Sequence, residues 1–218
     1  MKLRYVITLI LFIAALTIVA QTGKGEKRGE SLVYADSLDR VAAEVNGEEL
    51  TLREVAFYVA YEEAVVEEEA LVYDSENPGR YWNARVEGGF VWAVARKSII
   101  QMAIHDEIFC RMAEKDGLSL TASEKNKAGL KARDIWDDLC DRDGEEGLGV
   151  TEDDIKETSE RAALAEKYQE IYAEMNDLSY ENLEFTGEAY EKLLEKQDYS
   201  IDEEVWNKVG IGTVTVNN

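Results

Sequence analysis

Across 218 residues the chain has one proline, one histidine and two cysteines, and its 24 basic residues are outnumbered by 46 acidic ones. Each shortage removes a class of function. A single imidazole, His105, cannot furnish an H-E-x-x-H zinc helix, and Cys110 and Cys140 lack the paired spacing of a zinc ribbon. Two thiols allow one disulfide at most; both fall in predicted helices, so buried free thiols are the default expectation, with a bridge as the alternative. The formal net charge of -22 would repel phosphate backbones and anionic lipid, which excludes nucleic acid. The same charge attracts basic or unfolded polypeptide and divalent cations, although solubility alone is the plainer explanation. The G-x-S-x-G elbow and the S-x-x-K pair of serine hydrolases are also missing.

The N-terminus follows a three-part export pattern: Lys2 and Arg4, an apolar run from Val6 to Ala20, then polar Gln21-Thr22-Gly23. That run is about fifteen residues, short of the ~20 that a membrane span needs. Residues 1–20 are therefore expected to be a signal peptide, or a signal anchor if left uncleaved, which would be the chain's one membrane attachment. The protein is expected to work outside the cytoplasm, secreted or in the cell envelope. Residues 21–37 are polar and rich in glycine and charge, as in a flexible linker. Gly23, Gly25 and Gly29 do not form a nucleotide loop, because the spacing is wrong and no strand precedes them. Residues 38–218 are then one mainly α-helical domain.

Within that domain Val41, Ala43 and Val45 alternate with Ala42 and Glu44, and Asn46-Gly47 follows, a strand and turn. Thr51 stands three residues before Glu54, a capping box that opens a helix over about Leu52 to Leu71. Its Glu62, Glu63 and Glu67–Glu69 are expected on the solvated side. The only proline lies in Asn77-Pro78-Gly79, within a loop carrying Tyr73, Tyr81 and Trp82. A long helix follows from about Phe90 to Asp116, with a wide stripe through Ile100, Ile104, Ile108 and Met112 that suits a central position. Thr121 with Glu124, and Thr151 after an acidic, glycine-rich break, mark further helix starts, and a shorter helix is expected near Ala189 to Gln197. The β-branched residues of Gly210–Val216 predict a terminal strand. Its natural partner is Val41–Val45, so the two ends of the domain should pair as a small two-stranded element.

The residues Ala43 to Thr51, reading A-E-V-N-G-E-E-L-T before a capped helix, and Ala113 to Glu124, reading A-E-K-D-G-L-S-L-T-A-S-E after a long apolar helix, resemble the N-terminal domain of SurA and PrsA-type foldases. The likeness covers about half the domain and weakens across Tyr73 to Trp92 and after Cys140. It implies a non-catalytic, chaperone-like helical module that handles unfolded or newly exported polypeptides, with its terminal segments brought together. Such foldases commonly carry a parvulin-type prolyl isomerase domain with two active-site histidines. One histidine in the whole chain means that this centre cannot be built here. The chain would act alone, beside a separate isomerase, or with one dedicated envelope partner.

No other residue set demands catalysis, a metal or a cofactor. His105 is expected to be structural or superficial, and Asp106 projects about 100° away around the helix. The Asp141–Glu146 loop fails the EF-hand register: with Gly144 sixth, Leu139 would be the first ligand, and with Gly147 sixth, Arg142 would be. Carboxylate pairs such as Glu62 and Glu63 are adjacent on a helix and diverge, as on a wet face. An unrecognised hydrolase would instead need a concave pocket gathering several carboxylates. For contact with polypeptide clients the aromatic set Tyr73, Tyr81, Trp82, Phe90 and Trp92 is the candidate surface, because large aromatics give apolar affinity at little ordering cost. Half or more of that set would serve equally to close the core.

Overall fold

The computed structural model describes residues 31–216, so the expected signal segment and residues 21–30 of the expected linker lie outside the described residues. The fold is mainly α-helical, with a small antiparallel sheet that ties its two ends together. In chain order the elements are β1 (Val41–Val45), β2 (Glu48–Thr51), α1 (Leu52–Tyr73), β3 (Arg85–Val86), β4 (Gly89–Phe90), α2 (Val91–Lys115), α3 (Ala122–Asp141), α4 (Gly144–Leu148), α5 (Glu152–Met175), α6 (Glu188–Leu194), β5 (Tyr199–Ile201) and α7 (Glu203–Trp206). Short 3-10 turns cover Ala35–Ser37, Pro78–Asn83 and Tyr180–Leu183.

Local chemistry accounts for the element boundaries. Asn46 and Gly47 both adopt positive φ, 53° and 86°, which turns β1 into β2 with the twist a two-residue hairpin needs. Thr51, Thr121 and Thr151 each receive the backbone N–H three residues on, while Glu54, Glu124 and Asp154 reach back to the cap. The central helix is α2. Ile99, Ile100, Ile104, Ile108 and Phe109 are buried along it, each contributing roughly 1.5–3 kcal/mol relative to exposure. It packs against α1 on one side and α5 on another, and α3 closes over α5.

β1 is the middle strand. Its Ala43 and Val45 face Leu50 and Glu48 of β2 on one edge and Ile201 and Tyr199 of β5 on the other. The predicted pairing of the domain ends is therefore present, through a different segment. Tyr199–Ile201 takes the place expected of Gly210–Val216, and Asn46 locks that edge by donating its N–H to the Asp198 carbonyl at 2.6 Å. The later segment turns back over α1 and α4 without a strand.

Residues 31–37 correct the expected linker boundary, because they belong to the domain. Tyr34 is buried and donates its hydroxyl to the Leu52 carbonyl at 2.6 Å, and the Leu32 N–H reaches Lys208. Among the described residues no helix is long and apolar enough to cross a membrane. Cys110 and Cys140 are both free thiols; Cys110 is buried, with burial pushing its thiol up to about 11, and Cys140 is half-buried.

The C-terminal segment is seated through two glycines. A side chain at Gly147 would collide with the Val214 carbonyl oxygen, and one at Gly212, whose φ is +84°, would lie 2.5 Å from the Trp82 ring. Gly147→Ala is expected to lift the segment off α4 and to lower stability by about 1–3 kcal/mol. The urea midpoint and protease sensitivity after Val209 will show it, and an unchanged midpoint would refute the close approach.

Candidate functional site

The five aromatics selected from the sequence do not form one open surface. Tyr81, Trp82 and Trp92 are buried at 2%, 1% and 8% exposure. Tyr81 donates its hydroxyl to Glu69 at 2.9 Å, and Trp82 donates its indole N–H to Glu67 at 2.6 Å, so the turn at Pro78–Asn83 is stitched to α1. Phe90 stacks on Trp92 with ring centres 6.2 Å apart, and Arg85 and Arg96 cover those two rings at 5.0 and 5.1 Å. Tyr73 keeps substantial exposure, beside Tyr81. Three of the five thus close the core, and a client could reach Trp82 only by opening it.

The concave site lies on the other side of α1. It is a cleft of about 310 Å3 walled by α1, α2, α3, α5 and the segment 180–186. From α1 it takes Phe57, Tyr58 and Tyr61, aromatics at helical neighbour positions that share one face. The segment 180–186 brings Tyr180 and Phe185, and α3 contributes Lys131, whose ammonium stands 5.8 Å from the Phe57 ring centre and 5.9 Å from that of Tyr61. Carboxylates line the cleft: Glu166 and Glu170 from α5, Glu181 and Glu184 from the adjoining 180–186 segment, and Asp106 at the floor.

The floor is a closed hydrogen-bond chain. Tyr58 donates to Asp106 at 3.0 Å, Asp106 lies 2.9 Å from Nδ1 of His105, and Nε2 of His105 donates to the Leu183 carbonyl at 2.8 Å. His105 is buried and packs between Phe109 and Tyr190. The side chain of Asp106 bends back to meet it, overcoming the divergence expected from the helix. With both ring nitrogens engaged, at Asp106 and at the Leu183 carbonyl, His105 helps hold the 180–186 wall in place and presents neither nitrogen to a substrate in the cleft.

Electrostatics in the cleft follow from burial. The Tyr61 hydroxyl is pushed up to about 12 by burial and by the charges of Glu62, Glu184 and Glu68. Burial raises Glu184 too, reinforced by Asp106, Glu166 and Glu181 and opposed by His105. Burial lowers Lys131, against the pull of Glu166 and Asp106. Aromatic faces ringed by carboxylates are suited to recognition of an apolar or cationic group. Among the described residues no group of three or more His, Cys, Asp or Glu side chains is placed to hold a metal ion.

Sequence reasoning missed this cleft. The signal available was the Phe57, Tyr58, Tyr61 cluster, three aromatics on one face of a helix otherwise read for its cap and its glutamates. Lys131 and Phe185 come from distant parts of the chain and carried no local mark. Glu62 and Glu63 also depart from the expected wet face, since both are buried, Glu63 fully.

Comparison of the chain with family models, with curated proteins and with solved structures returns no match.

Proposed function

We propose that this chain is an exported, non-catalytic chaperone-like protein that binds unfolded or newly secreted polypeptides in the aromatic cleft between α1, α5 and the 180–186 wall. The observation that carries this reading is the cleft itself, about 310 Å3 and lined by Phe57, Tyr61 and Phe185. That is the small end of the roughly 300–1,000 Å3 typical of ligand pockets, room for a client side chain or two. The resemblance of Ala43–Thr51 and Ala113–Glu124 to SurA and PrsA-type foldases supports the same reading, as does the export pattern of residues 1–20. The surface charge would keep copies of the chain apart while they hold apolar segments of clients.

The full chain should slow aggregation of two unrelated denatured proteins without accelerating prolyl isomerisation. Tyr61→Ala should raise the concentration needed for half suppression about fivefold, the worth of one aromatic contact of ~1 kcal/mol. Failure to protect either client would replace the broad binder with a protein that has one dedicated envelope partner.

A hydrolase is the second reading, favoured by the gathering of carboxylates in one concavity and by the raised Glu184. Against it stands His105, whose ring nitrogens are both occupied.

A further inference from the structure

The cleft has a chemical asymmetry that apolar client binding alone does not use. Its lining combines the half-buried ring of Tyr61 and the buried ring of Phe57 with carboxylates from two neighbouring segments, Glu166 on α5 and Glu184 on the 180–186 segment that packs against it. A cation already samples those faces, because Nζ of Lys131 lies 5.8 and 5.9 Å from the two ring centres, near the outer limit of a cation–π contact. Around Glu184 the carboxylates of Asp106, Glu166 and Glu181 all carry a charge of the same sign as its own, and Lys131 is the cation that shares the cleft with them. The chain as a whole carries 46 acidic against 24 basic residues, so a cationic ligand is favoured on approach as well as at the site.

We propose that the cleft selects polypeptide segments bearing an arginine, whose guanidinium lies on the Tyr61 ring at the place the Lys131 ammonium now approaches, pairs with Glu166 and Glu184, and displaces that ammonium. The inference rests on the polypeptide-binding reading above and names its client chemistry. Arginine suits the site better than lysine for two reasons. A guanidinium is planar and weakly hydrated, so it can lie flat on an aromatic ring at small desolvation cost, and its fork can address carboxylates on more than one side. Lysine would bring a compact ammonium of the kind the site already contains. Lys131 thus acts as an internal competitor, a like charge that an incoming arginine must move aside.

The test uses the full chain and three short unstructured peptides that differ at one central residue: arginine, its neutral isostere citrulline, or lysine, each flanked by the same apolar residues. Binding is followed by titration calorimetry. The arginine peptide should bind about tenfold more tightly than the citrulline peptide, with the lysine peptide between them. Lys131→Met, which keeps the chain length and removes the charge, should tighten arginine-peptide binding about fivefold and leave the citrulline peptide nearly unchanged. Glu184→Gln should weaken the arginine peptide and leave the citrulline peptide nearly unchanged, and circular dichroism of both variants will establish that they are folded.

Equal affinity for arginine and citrulline overturns the proposal. If Tyr61→Ala then weakens both peptides equally, polypeptide binding in the cleft survives without charge selection; if no peptide binds at all, both readings fall. A lysine peptide that matches the arginine peptide overturns the guanidinium assignment. Unchanged affinity in Lys131→Met overturns the displacement step.

Discussion

Replacing Glu63 with alanine will release the C-terminal segment from the domain and lower the unfolding free energy by about 3–5 kcal/mol, among the largest effects of any single substitution. Glu63 has no exposed surface. Its Oε1 accepts the Gly212 N–H at 2.6 Å and the Val214 N–H at 3.5 Å, and its Oε2 accepts both the N–H and the hydroxyl of Thr215, at 2.7 and 2.6 Å. A helix side chain thus does for this segment what a neighbouring strand would otherwise do, satisfying the backbone donors of Gly212, Val214 and Thr215 while the Thr213 N–H turns to Gly210. Burial pushes the carboxyl above its ordinary value, and the four donors pull it back. Alanine would leave those donors buried without acceptors, a cost of about 1–3 kcal/mol for each one not reached by water. Glu63→Gln keeps the shape but turns an amide donor toward other donors, so it should lose close to half as much. Guanidinium denaturation will measure both, and Thr215→Val provides a milder reference because it removes only one donor. If Glu63→Ala unfolds at the wild-type midpoint, the carboxylate does not hold the segment.

The same contact explains why the end of the chain was misread. Gly210–Val216 has the composition of a strand, but β-branched residues report only that a segment suits a half-buried extended position; they do not name its partner. The vacant edge of β1 is filled by Tyr199–Ile201, and the donors of the later segment go to an acceptor about 150 residues earlier. Features written within four residues of sequence fared differently. Asn46-Gly47 dictates its turn through backbone conformation, and each threonine cap meets its carboxylate three positions on, so neither depends on the tertiary fold. The stripe of α2 was legible for a related reason: a wide apolar face has to be covered from several sides, whichever helices cover it.

The cleft was hidden because nothing local defines it. Phe57, Tyr58 and Tyr61 were visible only as part of a helix, and their facing wall, Tyr180 to Thr186, has no regular periodicity. That wall is held by packing on α5 and α6, by Gln169 donating to the Tyr180 carbonyl and by His105 donating to the carbonyl of Leu183, acceptors that could not have been inferred from residue type. The aromatic set around Trp82 shows the opposite ambiguity. Size and apolarity suit a tryptophan to a client surface and to a core alike, and a glycine more than a hundred residues away, Gly212, lies against its ring.

Glu62 joins these two regions, and its substitution should produce the clearest pH effect. It lies between Tyr61 at the cleft and Glu63 under the C-terminal segment, is 8% exposed, and is pushed from 4.5 up to about 7 by burial and by the charge of Glu69. An acid that titrates near 4.5 when unfolded and about 7 when folded binds its proton more tightly in the folded chain. The stability contributed by that proton is complete below pH 4.5 and is lost as pH rises through 7, a decrease of about 3 kcal/mol attributable to this one group. Glu62→Gln should abolish that component. The variant should match the wild type at pH 4.5, exceed its stability by about 2–3 kcal/mol at pH 8, and show a shallower fall between the two. Because other carboxylates titrate in both proteins, the decisive quantity is the difference between the two denaturation curves at each pH. A constant difference would mean that Glu62 ionises with no penalty. A difference that opens between pH 5 and 8 would establish that the folded chain works against a buried charge at neutral pH, on the helix whose next residue toward the N-terminus, Tyr61, faces the cleft.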